Sequence, residues 1–489
     1  MLNNSTLIPL MVVLPLIMAI LVNFLHQKDK SVKFISIVSL IVFVFIPVVT
    51  LYGVHLFSGH LRTGSFPEVS KILIPEVYMG IVYSYGAVQK ILMVVLTILT
   101  GFSVLAVINK KMISGVYMAM IFISLAASSA IILADDIFNF FVFTEILVVA
   151  QAALVIAVQE AKSFKAAFKY MIFGTISGAS ILLGIALLLG SYGLLNITDL
   201  SHAIQAGGAL TPIGLVAVAL LTLGWLYESG LFPFHIIKSN IYENARPEIS
   251  ALLQVQSKFV LVAMALILFR VFSGYALLKS VILGFAIFTV VIGSVMALQQ
   301  VELRKLLSFV AVSQAGLVAV GFGLGTPFGI AAGIFHAIND VLSMAILFFI
   351  ASFVYDKFKT TKLDELGEGL QVVPLVGFVM LLATLAISGV PPFNSYQSEW
   401  RLIQASAQAG VPELGILVIL LSVATFVAII KAFYMIFMKP GSKVEVNKEV
   451  RGNLTKAIIV ILILACLLIG LFPNMVYDPI YNFVVSLGV

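Results

Sequence analysis

Apolar residues run through this chain in blocks of about twenty, separated by short polar stretches. A helix needs roughly 20 apolar residues to cross the hydrocarbon core of a bilayer. Fourteen blocks qualify: residues 5–25, 34–54, 81–108, 113–133, 137–158, 167–191, 210–232, 248–272, 277–298, 306–325, 328–354, 372–408, 413–438 and 455–473. Two are interrupted. The seventh runs into Pro233, and the twelfth carries Ser388, Gly389, Pro391 and Pro392. Proline inside a span frees a backbone carbonyl, which only protein or trapped water can satisfy. The interruptions lie five spans apart, a spacing that points to an internal repeat with a transport site at its interface. The predicted class is an all-α polytopic membrane protein of about 14 transmembrane helices, with two inverted five-helix repeats and two broken helices.

Composition fits this pattern. The 489 residues are 61% hydrophobic and 10% charged. A soluble chain needs many more charges to solvate its surface. No loop is long enough for a soluble domain, so residues 1–489 read as one membrane domain. Its parts are N-terminal spans over 1–112, a first repeat over 113–272, a second over 277–438, and a polar connector with the last span over 439–489. The N-terminus has no basic leader region and is expected to be a retained span. The lone cysteine, Cys466, lies in an apolar run, which excludes a disulfide framework and a cysteine-based metal site.

Net charge changes the picture in one respect. The formal +6 does not indicate nucleic acid, because the basic residues sit in short loops rather than on one patch. They alternate. One side carries Lys28, Lys30, Lys33, Lys110, Lys111, Lys162, Lys165, Lys169, Lys238, Arg246, Arg304, Lys305, Lys357, Lys359, Lys362, Lys439, Lys443, Lys448, Arg451 and Lys456, which is 20 of the 28 Lys and Arg. The other side keeps few, among them Arg62, Lys71 and Lys279. The positive-inside rule places the rich side in the cytoplasm, and an even span count then places both termini outside.

A charge at mid-bilayer costs about 2.5–3.5 kcal/mol on insertion scales, so ionisable residues within spans usually face a cavity or a partner. The candidates are Glu145, Glu228, Lys258, His336, Asp340 and Glu399, with His235 just past the seventh-span proline. Lys90 and Arg270 are read as snorkelling to an interface. His235 could be wetted at the cytoplasmic end. His336 and Asp340 share a helix face, which suits a proton relay or a hydrogen-bonded pair, whereas two ligands alone make no metal site. For Glu145, Lys258 and Glu399 the bland reading is a helix–helix ion pair, and the functional one a pathway. Burial disfavours the charged form of either kind of group, so proton transfer is the chemistry such residues suit. Ser250, Gln254, Gln256, Ser257, Ser313, Gln314, Asn394, Ser395, Gln397 and Ser398 stand where they can orient bridging waters. No nucleotide loop or hydrolase triad is present, so neither a cofactor nor an enzyme active site is expected in the chain.

At these residues the sequence resembles the antiporter-like subunits of respiratory complex I, the Mrp-type multisubunit sodium/proton antiporters and the membrane-bound hydrogenases. The resemblance runs from about 115 to 420. FNFFVFTEILVVA is similar to the fifth-helix segment with its glutamate at Glu145. FKYMIFGTISGASILLGIALLLGSYG resembles the sixth helix, including Lys169 and Tyr170. LFPFH resembles the seventh-helix break, EISALLQVQSKF the eighth helix with Lys258, and VELRKLLSFVAVSQAG the tenth. FHAIND resembles the eleventh-helix histidine motif and SGVPPFNSYQSEW the broken twelfth helix. By length the Mrp D-type and complex I M-type subunits are nearest.

The resemblance implies an ion-translocating subunit, moving protons or exchanging them for sodium, in a multisubunit prokaryotic cell-membrane complex. The subunit itself would be non-catalytic, in an oxidoreductase or cation-antiporter assembly. Implied partners are the lipid bilayer and other membrane subunits, including further antiporter-like ones and hydrogenase-like or iron–sulfur redox subunits. Glu145 and Glu228 would serve a cytoplasmic-side path, Lys258 its centre, and His336, Asp340 and Glu399 an outward path. Four positions depart from the family pattern. Glu228 stands five residues before Pro233, where the family keeps a lysine. Asp340 and Met344 replace the usual residues after the eleventh-helix histidine, and Glu399 replaces the twelfth-helix lysine, as in M-type subunits. These changes suggest a specialised copy without the standard lysine relay. A non-pumping structural spacer and a stand-alone transporter of an organic substrate are the competing readings.

Overall fold

Each of the fourteen apolar blocks forms a helix in the computed structural model, which describes residues 7–24, 29–52, 60–63, 81–108, 114–207, 210–272, 275–441, 447 and 452–488. The loop at 55–80 lies mostly outside these residues. So do Lys28, Lys71, Lys110, Lys111, Lys443, Lys448 and Arg451. In chain order the helices are α1 Leu7–Phe24, α2 Asp29–Tyr52, α3 Ala87–Val107, α4 Gly115–Leu133, α5 Ile137–Ile156, α6 Ala161–Tyr192, α7 Ile197–Ala206, α8 Pro212–Ser229, α9 His235–Asn244 and α10 Pro247–Phe272. There follow α11 Ala276–Leu298, α12 Leu303–Gly323, α13 Pro327–Phe358, α14 Gly369–Val372, α15 Pro374–Ile387, α16 Asn394–Gln408, α17 Glu413–Phe433, α18 Asn453–Leu471 and α19 Asn474–Ser486. Among the described residues, eleven helices are long and apolar enough to cross a membrane, and three shorter apolar helices (in α1, α2 and α15) complete the set.

Local chemistry sets the ends. Ser114, Asp136, Thr211 and Thr326 each accept a backbone N–H in the first turn of the helix that follows, meeting donors a helix start leaves unpaired. Pro212, Pro327 and Pro374 open helices at a position where no N–H is needed. Two boundaries differ from expectation. Ile81–Ser84, read as the start of the third span, is a strand (β2) paired antiparallel with His60–Thr63 (β1). Four alternating residues ahead of Gly86 are too few to start a helix, and the ribbon satisfies their backbone. The last span is followed by an unforeseen helix, α19, which begins just past Pro473 and packs on α3 and α13.

The loops fall into two ends that alternate along the chain. At one end, Asp135 N–H bonds Val82 O, Ile137 N–H bonds Leu195 O and Ile197 N–H bonds Asp135 O. At the other, Leu303 N–H bonds Thr361 O, Glu368 N–H bonds Lys439 O, and Ser163 Oγ donates to Asn244 O. This separation agrees with fourteen crossings.

Lipid gives helices no hydrophobic reason to associate, so close packing and interhelical hydrogen bonds must hold them. Small residues allow both. Gly224 of α8 fits against Ile181 of α6, and Ser177 and Ser180 donate to Gly224 O and Leu220 O. Gly321 and Gly333 bring α12 and α13 backbone to backbone. The centre of the bundle is α10, α12 and α13, whose apolar windows are 94%, 100% and 100% buried, against 33% for α18 at the periphery. Lys258, His336 and Asp340 therefore sit on the most enclosed helices, while Glu145 and Glu228 sit on α5 and α8, which are 56% and 61% buried. The broken spans, α8–α9 and α15–α16, are each fourth in their five-span stretch and lie against this centre.

Candidate ion pathway

The first break follows α8. Gly230 leaves that helix in the left-handed region (φ +69°), and the chain turns through Leu231–Phe234 before α9 begins at His235. Glu228 and Lys238 stand on opposite arms. Lys238, expected among the cytoplasmic loop lysines, is instead buried in the bundle, as is Glu228. Its Nζ lies 3.9 Å from Glu228 Oε2, donates to Tyr170 Oη at 2.9 Å and reaches Ser257 Oγ at 3.4 Å. The rings of Tyr170 and Tyr227 flank it at 4.8 and 5.9 Å. A polar file leaves from there: Tyr170 donates to Gln151 Oε1 (2.8 Å), Gln151 to Gln256 (3.1 Å), and Gln256 to Ser124 Oγ (2.9 Å).

Glu145, on α5, rests on Gly178 of α6, where any Cβ would overlap its carboxylate. Its Oε1 is buried with no hydrogen-bond partner among the described residues. Glu145 meets α6 at Gly178, and Tyr227 Oη meets the same helix one turn earlier at Gly174. The two like charges foreseen at this point are thus accompanied by a cation. His235 is buried and stacks on Phe232 (5.8 Å between centroids), so the wetted reading does not hold.

The middle of the site is an ion pair. Lys258 of α10 meets Asp340 of α13, and both are nearly inaccessible. Lys258 also donates to Gln254 Oε1 at 3.0 Å, while Gln254 donates to Val341 O at 3.1 Å. Asp340, expected on the outward path beside His336, is the direct counter-ion of Lys258.

One turn before Asp340, His336 is held at both ring nitrogens: Nδ1 is 3.0 Å from Ser398 Oγ and Nε2 is 2.9 Å from Gln314 Oε1. Gln314 Nε2 has no partner among the described residues, so turning that amide gives a neutral imidazole a donor at Nε2 and leaves Nδ1–H for Ser398. Glu399 follows Ser398. Its Oε2 accepts from Ser422 Oγ of α17 at 2.7 Å, and its carboxylate lies over Gly389 (φ +67°) in the second break. Asn339 and Asn394 exchange side-chain to backbone bonds of 3.1 and 2.9 Å, tying the start of α16 to α13. The predicted residues are thus brought into one file: Glu145, Glu228, then Lys258 with Asp340, then His336, then Glu399. Pro233, Pro391 and Pro392 shape its two breaks.

Of the two residues read as snorkelling, Lys90 is buried, whereas Arg270 lies partly exposed at the end of α10. Arg270 pairs with Asp135 at 3.0 Å and donates to Thr198 at 2.8 Å, clamping the end of α10 to neighbouring loops. Lys90 is buried with its Nζ 5.5 Å from the centre of the Tyr85 ring. The main residue missed was Lys238. A signal existed: His235, Lys238 and Tyr242 recur at helical spacing after the proline, the stripe of a half-helix rather than a loop.

With this geometry in view, the comparisons define the class. Residues 134–427 match the profile described as NADH:quinone oxidoreductase/Mrp antiporter, TM, and the chain belongs to that family. It is an antiporter-like, multi-pass membrane protein. An uncharacterised protein of Methanocaldococcus jannaschii is 39% identical over 489 residues, covering 99% of this chain and 98% of that one. The fold matches a chain of the Mrp complex from Dietzia with a TM-score of 0.88 at 19% identity, covering 100% and 98% of the two chains. It also matches a chain of the membrane-bound sulfane sulfur reductase, an archaeal respiratory membrane complex, with a TM-score of 0.86 at 24% identity, covering 98% and 97%.

Proposed function

We propose that this chain is an ion-translocating subunit of a multisubunit prokaryotic membrane complex, moving protons or exchanging them for sodium along the file from Glu145 to Glu399. The observation that carries this reading is the Lys258–Asp340 pair at the junction of the two five-helix stretches, flanked by a broken helix and a buried carboxylate on either side. A spacer could replace such a pair by apolar packing at little or no cost in stability. Keeping it, with Gln254 bonded to Lys258 and the bonded His336 one turn from Asp340, favours transport over scaffolding.

The neighbouring structures are of an Mrp complex and an archaeal respiratory membrane complex, and a redox module is the proposed energy source here. The basic end is taken as cytoplasmic, with both termini outside and the chain divided as 1–112, 113–272, 277–438 and 439–489. At that basic end a polar cavity of about 200 Å³, lined by Tyr117, Glu160, Arg246, Glu248, Arg304 and Asp356 among others, supplies a hydrated approach to the start of α10. The test is ion flux by the reconstituted complex. Glu145→Ala and Lys258→Ala should each abolish flux while the complex still assembles. Unchanged flux in both would sink the reading.

A further inference from the structure

We infer that Lys238 is a further translocation residue, the cation that passes protons between Glu228 and the central Lys258–Asp340 pair. This rests on the reading just given and adds to it a residue and a reason for the first break.

Glu228 and Lys238 lie five residues before and five after Pro233. In an unbroken helix, ten residues would separate them by about 15 Å along the axis. The break folds the arms until Nζ and Oε2 are 3.9 Å apart. Gly230 makes this closure feasible in two ways. It takes a positive φ, and a Cβ there would stand 2.5 Å from Lys238 Cγ. The lysine stem therefore packs over the glycine, and the break is shaped around this side chain.

The ammonium is placed between alternatives. It donates to Tyr170 at 2.9 Å, has Glu228 at 3.9 Å on one side and Ser257 at 3.4 Å on the other. Ser257 adjoins Lys258 in sequence. Two aromatic faces suit a cation and allow it to shift among these oxygens without a fixed bidentate geometry. The stem is flexible and the ammonium compact, so a small swing closes the gap to either side. In the step itself a Lys238 N–H breaks and an O–H forms on Glu228. The ammonium becomes an amine as the carboxylate becomes a carboxylic acid, with charge and protons conserved. Return of a proton to Lys238 from the Tyr170–Ser257 side resets it. A purely structural lysine would gain from a close, fixed salt bridge, whereas here the shortest bond is to a phenol.

The experiment uses the whole complex, isolated through this chain and reconstituted in liposomes with an internal pH dye and a sodium indicator. Lys238→Gln should lower flux by about a hundredfold, the scale of a lost acid–base group. The exchanged variant Glu228→Lys with Lys238→Glu keeps both charges across the break and should restore most of the flux. If Lys238→Gln prevents assembly, the exchanged variant decides alone. The inference is overturned if Lys238→Gln keeps most of the wild-type flux while Glu145→Ala and Lys258→Ala abolish it, or if the exchanged variant assembles and is inactive. Flux that survives Glu145→Ala and Lys258→Ala as well overturns the wider reading and this inference with it.

Discussion

Removing the carboxylate of Asp340 separates what the central pair does for folding from what it does for transport. Lys258 and Asp340 have side-chain exposures of 2% and 1%, so water cannot take over when one partner goes. Asp340→Ala leaves the lysine with Gln254 Oε1 at 3.0 Å as its remaining acceptor. A buried pair broken on one side typically costs about 3–5 kcal/mol, because the orphaned charge stays desolvated. Removing both charges, as in Lys258→Met with Asp340→Ala, eliminates that penalty and should recover most of the stability. The assay is the midpoint of detergent-driven or thermal loss of the intact complex, measured for both singles, the double and the wild type as a cycle. The expected pattern is a large loss in the single, a small loss in the double, and no ion flux in either. The reasoning fails if Asp340→Ala is as stable as wild type, or if the double variant is as damaged as the single. Normal flux in the stable double variant would remove the pair from the pathway.

Two further outcomes follow from the same geometry. Gly389→Ala forces a side chain into a left-handed residue at a cost of about 1–3 kcal/mol and pushes on the Glu399 carboxylate, so flux should fall further than stability, as read by flux per assembled complex. Arg270→Ala removes the cation beside Asp135, which keeps Thr198 Oγ1 at 3.1 Å, and the pair lies at the bundle end and is partly wetted; stability should fall by about 2 kcal/mol, with flux per assembled complex unchanged.

Much of the fold was legible in the sequence because the bilayer imposes a length on each apolar run, and each of the fourteen runs formed at least one helix. The errors occurred where that constraint lapses. Ile81–Ser84 is apolar enough to extend a span, yet it pairs with a strand whose position no periodicity marks. Asn474–Ser486 is amphipathic and contains Pro479, so it does not register as a crossing. Among site residues, Glu145, Lys258 and Glu399 stood out as charges in apolar surroundings. Lys238 did not, because a half-helix after a proline and a polar loop have the same composition. Partners across the bundle were out of reach too: Lys258 and Asp340 are eighty-two positions apart, and no local pattern records that they meet.

The central pair draws one charge from α10 and the other from α13, one helix in each half of the molecule. A tilt of one proposed five-helix stretch against the other would therefore pull opposite charges apart at a deeply buried place. With an effective dielectric constant near 20, widening such a pair from about 4 to about 6 Å costs on the order of 1 kcal/mol. That is enough to change a population severalfold. On the proposed division, the joint between the two stretches would act as a spring whose stiffness depends on protonation, slackening whenever either partner is neutral.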